Sequence, residues 1–251
     1  MRKLLAALYS VLVYVFFLAV FVYAIGFVEN VVVPKTIDSG SGGQIVSSLL
    51  IDAGLLMLFA LQHSIMARPW FKRVWTRIVP QEIERSTFVL FASLVLALVC
   101  WQWRPLPQTV WSVVDPIGSR ALLVVSWSGW LLLLLSTFLI SHFQLFGLSQ
   151  GLARLIGQTP PEQAFVTPYL YRWLRHPLYA GFILAFWAAP HMSLGHLFFA
   201  VATTGYIFVG IWLEERDLIA YFGDRYRQYR ATVGMLVPKL RVASPRKGAA
   251  H

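Results

Sequence analysis

Cysteine is nearly absent from this 251-residue sequence, which contains only Cys100. An intrachain disulfide is therefore excluded, and no spacing of cysteine and histidine matches a structural zinc site, so no metal is predicted. Charged residues are also scarce, at 13% of the chain, which is about half the share of an average soluble domain. The composition excludes an ordinary soluble domain, and Cys100 is interpreted as an apolar packing residue.

Long apolar runs take up most of the chain instead. Hydrophobic residues make up 58% of it, and the mean hydropathy is +0.65. A helix needs about 20 mainly apolar residues to cross a bilayer. Four segments reach this length and a helical hairpin follows them: Leu4–Phe27, Ile45–Met66, Thr87–Trp103, Ala121–Leu145 and then Leu178–Leu213. The predicted fold class is all-α, a polytopic integral-membrane helical bundle of about six spans.

Acidic residues are few, 11 against 21 lysines and arginines, so the net charge is +10. With a cytoplasmic N-terminus, every basic residue except Lys35, Arg104 and Arg120 falls on the cytoplasmic side of the predicted spans. This distribution follows the positive-inside rule, so both termini are predicted to be cytoplasmic. The basicity then reflects topology, with some attraction to anionic membrane lipid, and no nucleic-acid partner is predicted.

Three regions are predicted along the chain. Residues 1–145 form a four-span N-terminal bundle, residues 146–238 contain a cytoplasmic segment, the hairpin and an amphipathic helix, and residues 239–251 form a disordered basic tail. The first limb of the hairpin, Pro177 to Ala189, extends about 20 Å as a helix, which is less than the bilayer core. This fifth helix is therefore expected to tilt, to begin earlier, or to span only partly.

Two further helices are expected around the hairpin. The aromatic and basic segment from Thr167 to Arg175 is typical of an interfacial helix. Beyond the hairpin, apolar and aromatic residues recur at steps of four and three from Glu215 to Tyr229. This spacing predicts an amphipathic helix, interrupted near Gly223.

Polar residues gather at the predicted cytoplasmic ends of the spans: His63, Glu84, Arg85, His142, Arg175, His176, Glu214 and Glu215. Such groups are costly near hydrocarbon unless they are paired or hydrated. A shared polar vestibule at the inner membrane face explains them together. Asp52, near the outer end of the second span, is assigned no role.

The motifs at the two ends of the hairpin are more informative about function together than separately. Arg175-His176-Pro177-Leu178-Tyr179-Ala180-Gly181 opens the hairpin, Glu214-Glu215 closes it, and Phe222-Gly223-x-x-Tyr226-x-x-Tyr229 follows. Arg-His-Pro alone is typical of a topological anchor followed by a first-turn proline. The combination, brought together by one hairpin, favours a binding site for a charged cofactor.

This block, roughly Phe165 to Pro238, resembles the isoprenylcysteine carboxyl methyltransferase and phospholipid methyltransferase superfamily of integral-membrane enzymes. Leu61-Gln62-His63-Ser64-Ile65-Met66-Ala67-Arg68-Pro69, Glu84-Arg85-Ser86 and Trp101-Gln102-Trp103-Arg104-Pro105 are closer to its nurim-like branch. Within that branch, the whole chain is similar to the bacterial methanethiol S-methyltransferases. The resemblance implies a multi-pass protein of the bacterial inner membrane, with its active site facing the cytoplasm.

The resemblance also implies a reaction and a site. S-adenosyl-L-methionine is the implied cofactor, and a small apolar thiol, most directly methanethiol methylated to dimethyl sulfide, is the implied substrate. No protein partner is inferred. The expected cofactor-binding residues are Arg175, His176, Pro177, Tyr179, Gly181, Glu214, Glu215, Tyr226 and Tyr229. Because the thiolate is the reactive form of a thiol, a neutral histidine is the natural proton acceptor. The catalytic candidates are His142 and His63, and each is equally compatible with a structural role.

Three alternatives remain open from the sequence. The same fold could methylate another acceptor, such as an isoprenylcysteine carboxyl group or a lipid amine. A non-catalytic nurim-like membrane protein would bind no S-adenosylmethionine. A membrane reductase of related architecture would bind a nicotinamide cofactor instead.

Overall fold

Helices dominate the computed structural model, which describes residues 1–158 and 167–239. Within these residues, five helices are long and apolar enough to cross a membrane: α1 (Arg2–Glu29), α2 (Ile45–Ala67), α4 (Gln81–Gln102), α5 (Pro116–Ile140) and α9 (Leu194–Phe222). Shorter helices lie between and after them: α3 (Pro69–Trp75), α6 (His142–Leu145), α7 (Leu148–Leu155), α8 (Pro177–Trp187) and α10 (Asp224–Thr232). The chain is thus a multi-pass helical membrane protein, as predicted.

Contacts between distant segments define two ends of the bundle. At one end, Ser86 Oγ donates to Ser10 Oγ at 2.8 Å, and Arg68 Nη1 lies 2.9 Å from Asp217 Oδ2. We call this the Arg175 end, because Arg175 also lies there. At the opposite end, Asp52 is fully buried and its Oδ1 accepts from the Arg104 backbone N–H at 2.8 Å. Asp52 therefore caps the C-terminal end of α4.

A small antiparallel sheet covers that opposite end, which we call the sheet end. It pairs β1 (Thr109–Ser112) with β2 (His191–Ser193). The indole of Trp111 also donates to the Ala189 carbonyl at 3.0 Å. The sheet joins the α4–α5 connection to the turn of the hairpin. An all-α prediction missed it, since strands of four and three residues carry too short a pattern to detect.

Helix α5 ends earlier than its apolar composition predicts. Asp115 caps its start by accepting from Gly118 N–H at 2.6 Å, which is the expected geometry for an N-cap aspartate. The predicted end at Leu145 is wrong, because the helix stops at Ile140 and Ser141 has a φ of 152°. Because of this break, His142 is the first residue of a separate helix, α6. Apolar residues continue past Ser141, so hydropathy alone does not mark the break.

The hairpin consists of one short and one long helix. Helix α8 has 11 residues, about 16 Å at 1.5 Å per residue, which confirms the prediction of a short first limb. Helix α9 has 29 residues and runs without interruption to Phe222. The predicted end of the hairpin at Leu213, with a separate amphipathic helix beginning at Glu215, is therefore wrong, whereas the break at Gly223, with a φ of 58°, is confirmed.

Helix α8 packs closely on α5 through two glycines. A Cβ added at Gly181 would lie 2.6 Å from the Gly129 carbonyl oxygen, and one added at Gly129 would lie 2.6 Å from the Gly181 oxygen. Small residues at a helix crossing let two membrane helices approach backbone to backbone. This contact fixes α8, and with it Arg175 and His176, against the body of the bundle.

The segment before α8 differs from the prediction. Only a 3₁₀ turn at Tyr169–Arg172 is present where a helix over Thr167–Arg175 was expected. The turn is still held to the bundle, since Tyr229 Oη donates to the Tyr171 carbonyl at 2.6 Å. Of the predicted tail, only Lys239 lies within the described residues.

Candidate active site

The carboxylate of Glu215 is the centre of a charged cluster at the Arg175 end. Its Oε1 accepts from Arg175 Nε at 2.8 Å and lies 3.1 Å from His176 Nε2. Its Oε2 lies 3.2 Å from Arg230 Nε. The Glu215 side chain is only 7% exposed, so the carboxylate needs these partners to remain ionised away from water. The hairpin prediction that Arg175, His176 and Glu215 meet at one end is therefore realised.

Arg175 is also tied to the chain that follows α10. Its Nη1 donates to the carbonyls of Arg230 at 3.0 Å and Val233 at 2.5 Å. Its backbone N–H donates to the Gly234 carbonyl at 2.8 Å. The Gly234 position leaves no room for a side chain, since a Cβ there would lie 1.8 Å from the Val237 oxygen. Arg175 thus holds the chain that follows α10 in place. We call this chain, Val233 to Gly234, the return segment. The Nη2 group of Arg175 takes no part in these bonds.

Glu214 differs from Glu215 in its surroundings although the two are adjacent. Its side chain is 46% exposed, and it accepts from Tyr179 Oη at 3.1 Å. Its Oε2 lies 3.8 Å from His176 Nδ1, so the buried His176 ring sits between the two carboxylates. Glu215 is occupied by internal partners, and Glu214 is the acid that an incoming cation can reach.

Two tyrosines of α10, Tyr226 and Tyr229, lie beside the charged cluster. Tyr226 is buried, and its ring centroid lies 5.8 Å from that of Tyr229. Burial raises the pKa of Tyr229 to about 12 and raises that of Tyr226 as well. Both phenols are therefore neutral at physiological pH. Tyr229 bonds to the Tyr171 carbonyl, so α10 is tied to the turn that leads to Arg175.

A cavity of about 200 Å³ opens beside Glu215. Its lining includes four residues that sequence reasoning missed: Trp212, Arg216, Ile219 and Arg230. Three of them recur at helical spacing on α9 around Glu215. This spacing was visible in the sequence and could have predicted that they share a face with Glu215. Sites for whole small-molecule ligands have volumes of about 300–1,000 Å³, so this cavity holds only part of a nucleoside-sized ligand.

Two other motif residues position the site from the side of α8. Pro177 is the first residue of that helix, where its missing N–H costs no hydrogen bond. Gly181 faces α5 at the contact with Gly129. Direct cofactor contact by either residue stays a prediction.

The two catalytic candidates have different environments. Both ring nitrogens of His142 are engaged: Nε2 lies 2.8 Å from Tyr14 Oη, and Nδ1 lies 2.8 Å from Thr137 Oγ1. Its ring is also stacked on Phe138, with centroids 4.3 Å apart. Burial lowers the pKa of His142. His63, by contrast, has a buried Nδ1 with no hydrogen-bond partner among the described residues.

Comparison with known proteins places the chain in a family. It is 55% identical over 236 residues to methanethiol S-methyltransferase 1 of Bradyrhizobium diazoefficiens, an alignment that covers 94% of this chain and 83% of the relative. It is 50% identical over 238 residues to the methanethiol S-methyltransferase of Mycobacterium tuberculosis, covering 95% and 98%. The chain belongs to the methanethiol S-methyltransferase family.

More distant similarity agrees with the nurim-like branch. Human nurim is 31% identical over 187 residues, and the alignment covers 69% of each chain. No protein-family model matches the chain, and no solved structure matches it significantly. As a member of the methanethiol S-methyltransferase family the protein is a methyltransferase, and the resemblance drawn from the motifs is confirmed.

Proposed function

We propose that this methyltransferase transfers the methyl group of S-adenosyl-L-methionine to methanethiol, producing dimethyl sulfide. The observation that carries the proposal is the arrangement around Glu215. A buried cluster of opposite charges holds an accessible acid, Glu214, at one end of an apolar bundle in a chain of this family. The thiol substrate is taken from the names of the relatives.

The residues present fit the proposed cofactor. S-adenosylmethionine carries an ammonium and a carboxylate, and it supplies an electrophilic methyl group on a sulfonium. Glu214 is half exposed and bonded to Tyr179, which suits an ammonium or ribose hydroxyls. A guanidinium pairs well with a carboxylate, and the half-exposed Arg230 is the guanidinium that a ligand can reach, next to the buried Arg175.

The remaining predicted cofactor residues hold the Glu214 carboxylate and the guanidinium groups in position. Glu215 and His176 fix the Arg175 side chain and the orientation of Glu214. Tyr229 ties α10 to the turn before Arg175 through the Tyr171 carbonyl, and the ring of Tyr226 lies beside that of Tyr229. We therefore assign the cofactor site to the predicted set Arg175, His176, Pro177, Tyr179, Gly181, Glu214, Glu215, Tyr226 and Tyr229, with Arg230 added to it.

The substrate side of the site is apolar. Methanethiol is small and partitions into lipid, so it can enter laterally between the spanning helices. Transfer is an in-line displacement, and most of the rate comes from holding sulfur and methyl group aligned in contact. The charged cofactor enters from water at the Arg175 end, and the positive-inside rule supports a cytoplasmic position for this end in a bacterial inner membrane.

The decisive experiment follows the methyl group. Membranes containing the chain are given methanethiol and S-adenosylmethionine that carries a trideuterated methyl group, and headspace dimethyl sulfide is analysed by mass spectrometry. The expected product is three mass units heavier than the unlabelled compound. Unlabelled product, or no product from folded protein, would overturn the proposal.

A matched pair of variants locates the site. Glu214→Gln should remove most labelled product and weaken S-adenosylhomocysteine binding about tenfold or more, because a charge-assisted hydrogen bond to the ligand is lost. Asp224→Asn makes the same chemical change at an exposed acid on α10 whose partner is Arg227, and it should retain activity. Equal behaviour of the two variants would count against the assigned site.

A further inference from the structure

His63 is unusual among the histidines of the described residues. His142, His176 and His196 each have at least one ring nitrogen in a hydrogen bond with another residue. His191 is exposed at the sheet end. His63 lies half-buried near the Arg175 end of α2, and neither of its ring nitrogens has a hydrogen-bond partner within residues 1–158 and 167–239.

The surroundings of His63 are aromatic, with one charged group close by: the guanidinium of Arg85, which lies 4.8 Å from the centroid of the Phe88 ring. Its ring stacks on Phe59, with centroids 5.4 Å apart and an interplanar angle of 19°, and lies 5.0 Å from the Phe88 ring. The neighbouring Gln62 Oε1 is also buried without a partner. Buried polar atoms are nearly always hydrogen-bonded in folded proteins, so these two adjacent unpaired atoms are free to bond to a ligand.

A short chain of contacts connects His63 to the candidate active site. Ser64 Oγ, next to His63, lies 3.1 Å from Tyr206 Oη on α9. The Tyr206 ring also meets Phe59 edge to face, at 6.4 Å. Helix α2 therefore packs against the part of α9 that leads to Glu214.

Gly210 lies on the same face of α9, between Tyr206 and Glu214. The three residues are spaced four apart, so they form one row along the helix, about 12 Å long from first to last. A Cβ at Gly210 would lie 3.8 Å from Tyr179 Oη, and that hydroxyl donates to Glu214. Glycine at this position therefore places bare helix backbone beside Tyr179.

We infer that His63 accepts the proton of the thiol substrate, which binds between Phe59, His63, Tyr206 and Gly210. The inference rests on the function proposed above and adds a place for the substrate and an identity for the base. His142, the other candidate, is a structural residue, because both of its nitrogens are occupied by Tyr14 and Thr137.

The step balances in atoms and charge. The S–H proton moves to an unpaired ring nitrogen of His63, which becomes an imidazolium. The sulfur then bonds to the methyl carbon of the sulfonium donor, and the pair of electrons in the old carbon–sulfur bond stays with the donor sulfur as a neutral thioether. The imidazolium afterwards releases its proton to water at the Arg175 end.

The first test compares His63→Gln with the unchanged protein over a range of pH. General-base catalysis contributes about 100-fold or more to rate, so kcat/KM at neutral pH should fall by about that factor. Alkaline pH ionises the thiol without help, so the loss should shrink as pH rises. S-adenosylhomocysteine binding should be unchanged, because His63 is assigned to the thiol.

Two controls separate this role from a structural one. His191→Gln makes the same change on the exposed sheet-end strand and should leave activity and pH profile unchanged. His142→Gln should retain the wild-type pH profile whatever its yield. A wild-type pH profile in His63→Gln would overturn the inference, whereas failure of the unchanged protein to methylate methanethiol would overturn the proposed function instead.

A second pair of variants tests the substrate position without altering His63. Gly210→Val adds three carbon atoms beside Tyr179 and should raise the KM for methanethiol by about tenfold or more, since even one extra methylene in an apolar pocket has an effect of that size. Gly205→Val lies on the same helix at a position where a Cβ meets no atom within 4 Å, and its KM should be unchanged. Equal KM values for the two variants would place the thiol elsewhere.

Discussion

Two adjacent glutamates lie in different environments because α9 turns them in different directions. Glu215 faces Arg175 and Arg230 and is shielded from water, whereas Glu214 faces Tyr179 and is half exposed. Removal of one partner from a buried ion pair leaves a charge without compensation, and this usually destabilises a protein by about 3–5 kcal/mol. A half-exposed acid carries no such penalty, since water replaces its partner.

This difference predicts opposite phenotypes for the two amide substitutions. Glu215→Gln leaves the buried Arg175 guanidinium without its carboxylate, so stability should fall by about 3 kcal/mol. Glu214→Gln should change stability by less than about 0.5 kcal/mol and act on ligand binding. Thermal unfolding in detergent, with and without S-adenosylhomocysteine, measures both effects. A stable Glu215→Gln protein with weak ligand binding would show that Glu215 faces the ligand.

The Tyr229 hydroxyl predicts how the fold responds to alkali. Its pKa is raised by burial from 10.0 to about 12, so the folded state keeps its proton where the unfolded state has lost it. Below pH 10 both states are protonated and stability is unaffected. Between pH 10 and 12 the unfolded state is favoured by ionisation, and stability should fall as pH rises.

Tyr229→Phe isolates this contribution. The variant should lose about 1 kcal/mol at neutral pH, because the hydrogen bond to the Tyr171 carbonyl is removed. Its stability should then fall less steeply above pH 10, since one ionising phenol is missing. Melting temperatures measured from pH 8 to 11 give both quantities. Parallel curves for the two proteins would contradict the assignment.

At the scale of elements, the contact between α5 and α8 determines where the motif lies. Gly129→Ala and Gly181→Ala each place a methyl group 2.6 Å from a backbone oxygen, so the helices must separate. Overpacking of this kind costs about 1–3 kcal/mol. Gly54→Ala on α2 is the matched control, because a Cβ there meets nothing within 4 Å.

The readout of this comparison is both stability and activity. The two substitutions in the α5–α8 contact should lower the melting temperature and reduce methyl transfer together, since α8 carries Tyr179 and begins beside His176. Gly54→Ala should leave both unchanged. A Gly181→Ala protein of normal stability that fails to bind S-adenosylhomocysteine would instead support direct cofactor contact by Gly181.

Apolar length predicted the spanning helices well, because a bilayer imposes nearly the same length on every span. The end of α5 at Ile140 was not predictable in this way, since it depends on a backbone conformation at Ser141. The continuation of α9 past Leu213 was missed because the charged residues that follow suggested an end to the helix, whereas the helical periodicity did not change. Gly223 was found, since glycine at a break has a direct local signal.

At the scale of the whole molecule, the candidate site depends on contacts between Arg175 and a distant part of the backbone, and these contacts have no sequence signature. The motif residues predicted Arg175, His176, Glu214 and Glu215 at one end, because a hairpin brings its two ends together. The carbonyls of Arg230, Val233 and Gly234 that bind Arg175 were not predicted, since every residue has a carbonyl. In contrast, the positions of the basic residues alone were enough to predict which end of the bundle faces the cytoplasm.

That distinction leads to a test of topology. Cys100 is buried, so single cysteines can be introduced on a Cys100→Ala background and labelled with a membrane-impermeant maleimide. Val114→Cys reports the sheet end, where Val114 is 90% exposed, and Asp224→Cys reports the Arg175 end, where the Asp224 side chain is 84% exposed.

Intact bacterial cells with a permeabilised outer membrane should label Val114→Cys and leave Asp224→Cys unlabelled, because the positive-inside rule keeps the basic end in the cytoplasm. Disruption of the inner membrane should then expose Asp224→Cys to the same reagent. Similar exposure of the two positions makes each the control for reactivity of the other. The reverse pattern would place Glu214 and Arg175 outside the cytoplasm, where S-adenosylmethionine could not reach them, and the proposed reaction would fail with the topology.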